Sequence, residues 1–150
     1  MILISHRGNI YKKNPSRENS SDYIDEAINK GFQVEIDVWF VKNEFFLGHD
    51  YAQYKIDFGW ILKRKSHLWI HCKNISAMEE LNNYRKNPNY SELNFFFHDS
   101  DDLTLTSKGF LWVYPGKQPV NNSIAVLPEL YNDDLSSCKG ICSDVINNYK

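Results

Sequence analysis

The chain lacks several things, and each absence excludes a class of protein. No apolar run in its 150 residues approaches the roughly 20 residues a membrane-crossing helix needs, so membrane insertion is not expected. The opening Met1-Ile2-Leu3-Ile4 is too short, and lacks the basic flank, for a secretory leader. Cleaving any leader would also remove His6, and a cytoplasmic location is the expectation. Cysteine is scarce: Cys72, Cys138 and Cys142 are odd in number, with no C-x-x-C pair. Cys138 and Cys142 have no second ligand pair nearby, which argues against zinc and for reduced, structural thiols. There is no basic excess. With 17 Lys and Arg against 19 Asp and Glu, the net charge is -2, the wrong sign for non-specific nucleic-acid binding. Internal repeats, low-complexity tracts and linkers are absent, so residues 1–150 read as a single domain large enough for one core.

What is present is concentrated. Apolar residues make up 42% and aromatics 15% of the chain, and aromatic clusters such as Phe95-Phe96-Phe97 read as buried strands. The pattern predicts a strand at Met1–Ser5. A helix capped by Ser20 or Ser21 then runs to about Asn29 and stops at Lys30-Gly31. A second strand over Phe32–Phe40 turns at Lys42-Asn43-Glu44 and returns through Phe45–Leu47 to His49. Further on, the pattern gives helices near Phe58–Lys65 and Ser76–Arg85. Strands follow at Leu68–Lys73, Asn94–Phe97, Phe110–Tyr114, Ile124–Leu127 and Gly140–Ser143. Strands alternating with helices or loops predict an α/β fold with a mainly parallel sheet. His6, Lys73, His98, Glu129 and Asp144 gather at strand C-terminal ends, the active face of an α/β barrel.

Between His6 and Asp50 the chain carries His6-Arg7-Gly8, Glu18-Asn19, Glu35-Ile36-Asp37 and His49-Asp50. Strand alternation sets Glu35 and Asp37 side by side on one face, opposite Val34, Ile36 and Val38. Two histidines, an arginine and a carboxylate pair are the inventory of metal-assisted phosphodiester cleavage: acid, base, phosphate clamp and oxygen ligands. Singly, each piece is weak. An isolated H-R-G is usually a turn, and an E-x-D on a strand is usually a solvated face.

Taken in order and spacing, His6-Arg7-Gly8, Glu18-Asn19, Ala27-x-x-x-Gly31, Glu35-x-Asp37 and His49-Asp50 resemble the opening third of the glycerophosphodiester phosphodiesterases, within the PLC-like phosphodiesterase superfamily. Gly140-Ile141-Cys142-Ser143-Asp144 resembles that family's closing motif. The resemblance implies a metal-dependent phosphodiesterase on a TIM barrel. By position, His6 and His49 would be the acid/base pair, Arg7 and Lys73 the phosphate contacts, and Glu35 and Asp37 metal ligands.

The family's next strand carries E-x-K, where this chain reads His71-Cys72-Lys73. His71 therefore stands as the third metal ligand, or else that ligand comes from Asp99, Asp101, Asp102 or Glu129. A histidine beside Trp69 on a strand is more often packed than ligating. An imidazole in place of a carboxylate weakens Mg²⁺ or Ca²⁺ binding and favours Mn²⁺. One divalent ion is expected, Mg²⁺ first, with Ca²⁺ or Mn²⁺ as alternatives. Because the chain is far shorter than the ~250 residues of a typical TIM barrel, a reduced TIM-type (β/α) barrel is expected, with short crossovers and missing helices.

Trp39, His98, Tyr114 and Glu129 complete the expected pocket. Trp112 and Tyr114 share a strand face suited to stacking on a sugar or glycerol moiety, core packing being the stronger claim on Trp112, and Lys117 is only a candidate for a further phosphate contact. Glu18 and Asn19 should brace the His6 loop. The expected partner is a small phosphodiester, glycerophosphodiester-like or a sugar or alcohol phosphodiester, cleaved through water or a cyclic phosphate. Nucleic acid is not expected as a partner, and a homo-oligomer covering exposed strand edges stays open. The alternative function is a non-catalytic phosphate-ester binding module derived from the same fold.

Overall fold

Short β-branched and aromatic runs broken by turns leave little room for long elements, and the computed structural model, which describes residues 1–150, contains many short ones. In chain order they are β1 (Ile2–His6), α1 (Ser21–Asn29), β2 (Gln33–Val41), β3 (Glu44–Leu47), β4 (Tyr54–Ile56), α2 (Phe58–Arg64), β5 (Leu68–Cys72), α3 (Ile75–Arg85), β6 (Phe95–Phe97), β7 (Leu103–Leu105), β8 (Leu111–Val113), β9 (Ser123–Val126) and β10 (Gly140–Ser143). Single 3₁₀ turns occupy Pro88–Tyr90, Pro128–Leu130 and Ile146–Tyr149.

Seven strands pair in parallel in the order β6-β5-β2-β1-β10-β9-β8. β7 adds antiparallel to β8, and β3 and β4 form an antiparallel extension of the far end of β2. The sheet curls until its ends approach. No ladder joins β6 to β7, but the Ser107 backbone N–H donates to the Phe95 carbonyl at 2.8 Å. The Thr104 hydroxyl donates to the Phe97 carbonyl at 3.0 Å. The result is a mixed α/β fold with a curled sheet and three α-helices. All three lie before β6, so the crossovers between β6 and β10 are made without an α-helix.

The two faces of the sheet have separate cores because side chains alternate along each strand. Val34, Ile36, Val38, Ile70, Cys72 and Phe95 pack with Ile24, Ala27, Ile61, Ala77 and Leu81 of the helices in a cluster of 20 buried residues. Each fully buried aliphatic side chain there contributes about 1.5–3 kcal/mol. That explains how helices as short as α2 stay docked. Inside the curl a smaller cluster of Ile4, Trp69, Phe96, Trp112, Ile124, Val126 and Cys142 fills the floor.

The helix termini follow local chemistry. Asp57 accepts from Trp60 N–H at 2.7 Å, and Asn74 accepts from Ala77 N–H at 3.1 Å, both as N-caps. Ser20 occupies the N-cap of α1, but its hydroxyl donates backwards to the Arg17 carbonyl. Arg17 in turn pairs with Asp22 and Glu26 on the first turns of α1.

Two strands were not expected, β4 and β7. β7 reads Leu-Thr-Leu with no buried residue, and β4 has only Ile56 buried, so neither carries the half-buried alternation by which a strand is recognised. No helix is long and apolar enough to cross a membrane.

Candidate functional site

The parallel strands all deliver their C-terminal residues to one end of the curl, and the polar side chains cluster there. A cavity of about 260 Å³ is lined by His6, Arg7, Glu35, His49, His71 and Lys73, and on its far wall by His98, Asp99, Trp112 and Tyr114. The strand register explains the first group: His6 pairs with Glu35 across β1 and β2, and Asp37 pairs with His71 across β2 and β5.

Glu35, Asp37 and His71 are all buried, and each offers a ligand atom within 4.8 Å of the others. The imidazole Nδ1 of His71 lies 3.1 Å from Asp37 Oδ1 and 3.8 Å from Glu35 Oε1. Glu35 Oε2 and Asp37 Oδ1 are buried without a hydrogen-bond partner in the protein. Two unpartnered carboxylate oxygens beside an imidazole suit a divalent cation, since unpaired buried carboxylate oxygens are otherwise costly. The set therefore fits a metal, and an imidazole beside two carboxylates admits Mn²⁺ as well as Mg²⁺ or Ca²⁺. Nothing in the donor set selects one ion.

Cations already crowd the same carboxylates. Arg7 Nε lies 2.9 Å from Asp37 Oδ2, an ion pair whose angle is too bent for a hydrogen bond. Lys73 Nζ lies 3.8 Å from Asp37 Oδ1. Burial alone would push the Asp37 pKa up, but the His71 imidazole 3.1 Å away and the charges of Arg7 and Lys73 hold it well below the ordinary value. Glu35 goes the other way. Burial, reinforced by the Asp37 charge, raises its pKa. Two adjacent carboxylates thus titrate apart.

His6 is held from behind. Its Nδ1 lies 2.7 Å from Asp144 Oδ1, and its Nε2 lies 3.8 Å from Glu35 Oε2. Burial opposes protonation of the ring, but the Asp144 bond and the Glu35 charge outweigh it and raise the pKa. Asp144 also accepts from Asn9 at 2.8 Å. Asn9 donates to Glu18 as well, and Glu18 accepts from Arg7 at 3.3 Å. Asn19 clamps Asp37 twice, donating to Oδ2 at 2.9 Å and accepting from the backbone N–H at 3.0 Å. Glu18 and Asn19 therefore brace the loop that carries His6 and Arg7.

His49 is less constrained. Its ring is 40% exposed and pairs with Asp50 at 2.7 Å; partial burial and the Arg7 charge lower its pKa. Gly48 sets it up: at φ +146° a Cβ would sit 2.1 Å from the Tyr51 carbonyl, so only glycine makes this turn.

On the far wall the His98 and Tyr114 rings stack, with centroids 3.4 Å apart. Burial and the neighbouring His71 charge lower the His98 pKa to about 4. Burial, with help from the Glu35 charge, raises that of Tyr114. Trp112, only 2% exposed, is packed against Trp69 and Phe96 as floor.

Three residues expected near the pocket sit elsewhere. Trp39 shares a strand face with Asp37 but is not among the lining residues. Its indole N–H donates to the Gly48 carbonyl at 2.6 Å and clips the hairpin that carries His49. Glu129 accepts from the Ser143 hydroxyl and the Asp144 backbone N–H, so it supports the Asp144 turn. Lys117 pairs with Asp102 at 3.0 Å. Burial pushes the Cys72 thiol up to about 12, which suits an inert packing role.

The sequence places Asp144 at a strand end on the expected active face without giving it a role, and Asn9 is not among the expected site residues. The closing G-I-x-S-D run was the signal for Asp144. Nothing in the sequence marked Asn9. No family model, curated protein or solved structure matches the chain.

Proposed function

We propose that the chain is a metal-dependent phosphodiesterase acting on a small glycerophosphodiester or a similar sugar- or alcohol-phosphodiester, and that its curled sheet is a reduced TIM-type (β/α) barrel of the glycerophosphodiester phosphodiesterase kind. One observation carries the reading. Unpartnered oxygens of Glu35 and Asp37 meet His71, and Glu35 and His71 line one cavity with His6, Arg7, His49 and Lys73.

A phosphodiester anion repels nucleophiles until its charge is countered. Arg7 offers a planar fork to two phosphate oxygens and Lys73 a point charge. A divalent ion held by Glu35, Asp37 and His71 would supply further charge neutralisation.

The attacking group is water or a hydroxyl of the substrate itself. As the new O–P bond forms, one histidine takes the nucleophile's proton; as the old P–O bond breaks, the other protonates the departing alkoxide. With Nδ1 turned to Asp144, His6 carries this chemistry at Nε2, the nitrogen on the Glu35 side. His49, more exposed and shifted towards the neutral form, is suited to start as the base. His6, whose imidazolium the Asp144 carboxylate 2.7 Å from Nδ1 stabilises, is suited to start as the acid.

The test is ³¹P NMR of the purified protein with a panel of glycerophosphodiesters, adding Mg²⁺, Ca²⁺ and Mn²⁺ separately. The expected result is a new monoester or cyclic-phosphate signal that disappears with EDTA and in His6→Ala. No new signal with any metal and any member of the panel would sink the reading.

A second reading is a phosphate-ester binding module without turnover. It is favoured by the Arg7–Asp37 ion pair, which already engages the clamp inside the site. Retained phosphate binding by a protein with no turnover would establish it.

A further inference from the structure

The far wall of the cavity holds two polar atoms that the chemistry above does not use. Tyr114 Oη and His98 Nδ1 are both buried, and neither has a hydrogen-bond partner in the protein. The carboxylate beside the imidazole, Asp101, is 3.9 Å from Nδ1, beyond hydrogen-bond reach. Both residues line the cavity that holds His6, Glu35 and Lys73.

Leaving two buried polar atoms unpaired is costly, and such groups call for a partner from outside the protein, an ordered water or a ligand. The two rings are also rigidly placed. They stack on one another at 3.4 Å, above a floor in which Phe96 lies against Trp112 at 4.8 Å and stacks on His71 at 5.3 Å. One face of each ring is spent on the other. The stacking surface expected of Tyr114 is to that extent already occupied, and its polar tip is what is left to read a ligand.

We infer that His98 and Tyr114 form a subsite that recognises a hydroxyl on the alcohol portion of the phosphoester, with Tyr114 Oη and His98 Nδ1 as the two hydrogen-bonding atoms. The inference rests on the phosphate-pocket reading above and names the substrate class within it. The alcohol is one that keeps a free hydroxyl beside the ester. A simple alkyl group would leave both atoms unpaired, and a quaternary ammonium group has no hydrogen to donate and no lone pair to accept. Sites built around a hydroxyl discriminate sharply against analogues that lack it, for that reason.

The experiment compares glycerol 3-phosphate, propyl phosphate and choline phosphate by isothermal titration against wild type, Tyr114→Phe and His98→Phe. All three ligands carry the same phosphate group for Arg7 and Lys73. Both substitutions keep an aromatic ring in the stack, and thermal melts check that each variant folds. Wild type is expected to bind glycerol 3-phosphate roughly tenfold tighter than propyl phosphate. Tyr114→Phe should reduce that ratio while leaving propyl phosphate unchanged, an effect that general loosening of the site would not produce. His98→Phe should reduce the same ratio.

Equal affinities in wild type, a ratio undiminished in Tyr114→Phe, or a preference for choline phosphate would overturn the inference while phosphate binding itself persists. Failure of all three ligands to bind wild type would overturn the phosphate pocket and this subsite together.

Discussion

The carboxylate of Asp144 lies 2.7 Å from Nδ1 of His6, a residue 138 positions away in the chain. The contact exists because β10 pairs in parallel with β1, Ser143 opposite Ser5, so both strands end at the same level. A neutral His6 then donates Nδ1–H to Asp144 and leaves Nε2 free as an acceptor. Asp144 acts as a positioning residue through the imidazole.

Asp144→Asn should therefore lower the His6 pKa, because burial, which opposes protonation, remains while the charge that outweighed it is gone. The His6 pKa is raised from 6.5 and the Asp144 pKa lowered from 3.8. The charged pair thus stabilises the fold fully between those two ordinary values. Its histidine share is lost as pH rises through the raised His6 pKa, and its aspartate share as pH falls through the lowered Asp144 pKa. Proton NMR titration of the His6 ring would give the shift directly. Melting temperatures at pH 5.5 and pH 9 should show the larger loss in Asp144→Asn at the lower pH. An unchanged His6 titration would remove Asp144 from this role.

His71 decides the character of the proposed metal centre. His71→Ala should weaken Mn²⁺ binding, read by electron paramagnetic resonance, by at least roughly 10–100-fold, the range seen when only the groups behind a metal's ligands are removed. His71→Glu should supply a third carboxylate and shift preference from Mn²⁺ towards Mg²⁺ and Ca²⁺. If Mn²⁺ binds His71→Ala as it binds wild type, the imidazole is not a ligand.

Asn19 is 1% exposed and makes two hydrogen bonds to Asp37 from a left-handed backbone position, φ +62°. Asn19→Ala loses both bonds, one of them to a charged carboxylate, and adds the left-handed penalty of a residue with no polar side chain. The hydrogen bonds dominate. Urea denaturation should show a loss of about 2–4 kcal/mol, and a loss within experimental error would mean that Asp37 is held without Asn19.

Gly140 opens β10, where three strands converge. An added Cβ would lie 2.8 Å from Ile2 Cβ, from the Ile2 carbonyl oxygen and from Ile124 Cδ1. Backbone cannot retreat as a side-chain tip can, so Gly140→Ala should overpack the base of the curl by about 1–3 kcal/mol. A midpoint unchanged in urea would show that β1 and β10 can move apart freely.

Part of this protein was legible one residue at a time. Alternation in Val34–Val38 put Glu35 and Asp37 on one face. The strand ends put His6, Lys73 and His98 at one level, and the run after Lys42-Asn43 returned the chain to His49. These follow from periodicity and turn chemistry, which act over a few residues. β4 and β7 escaped because three-residue strands with little or no buried face leave no periodic mark.

The rest was decided by the curl. Whether Trp39 lines the cavity or clips Gly48 depends on where the β2–β3 hairpin leaves the sheet, and its strand face alone cannot say. Whether Tyr114 offers a face or only its hydroxyl depends on His98, brought within stacking distance because β6 and β8 approach across the sheet's two ends. The Asp144 carboxylate behind His6 likewise depends on the last strand lying beside the first. Strand alternation fixes direction within a segment, whereas these pairings are set by sheet order and curvature. Those depend on how the whole set of apolar faces packs, and no local stretch of sequence carries that information.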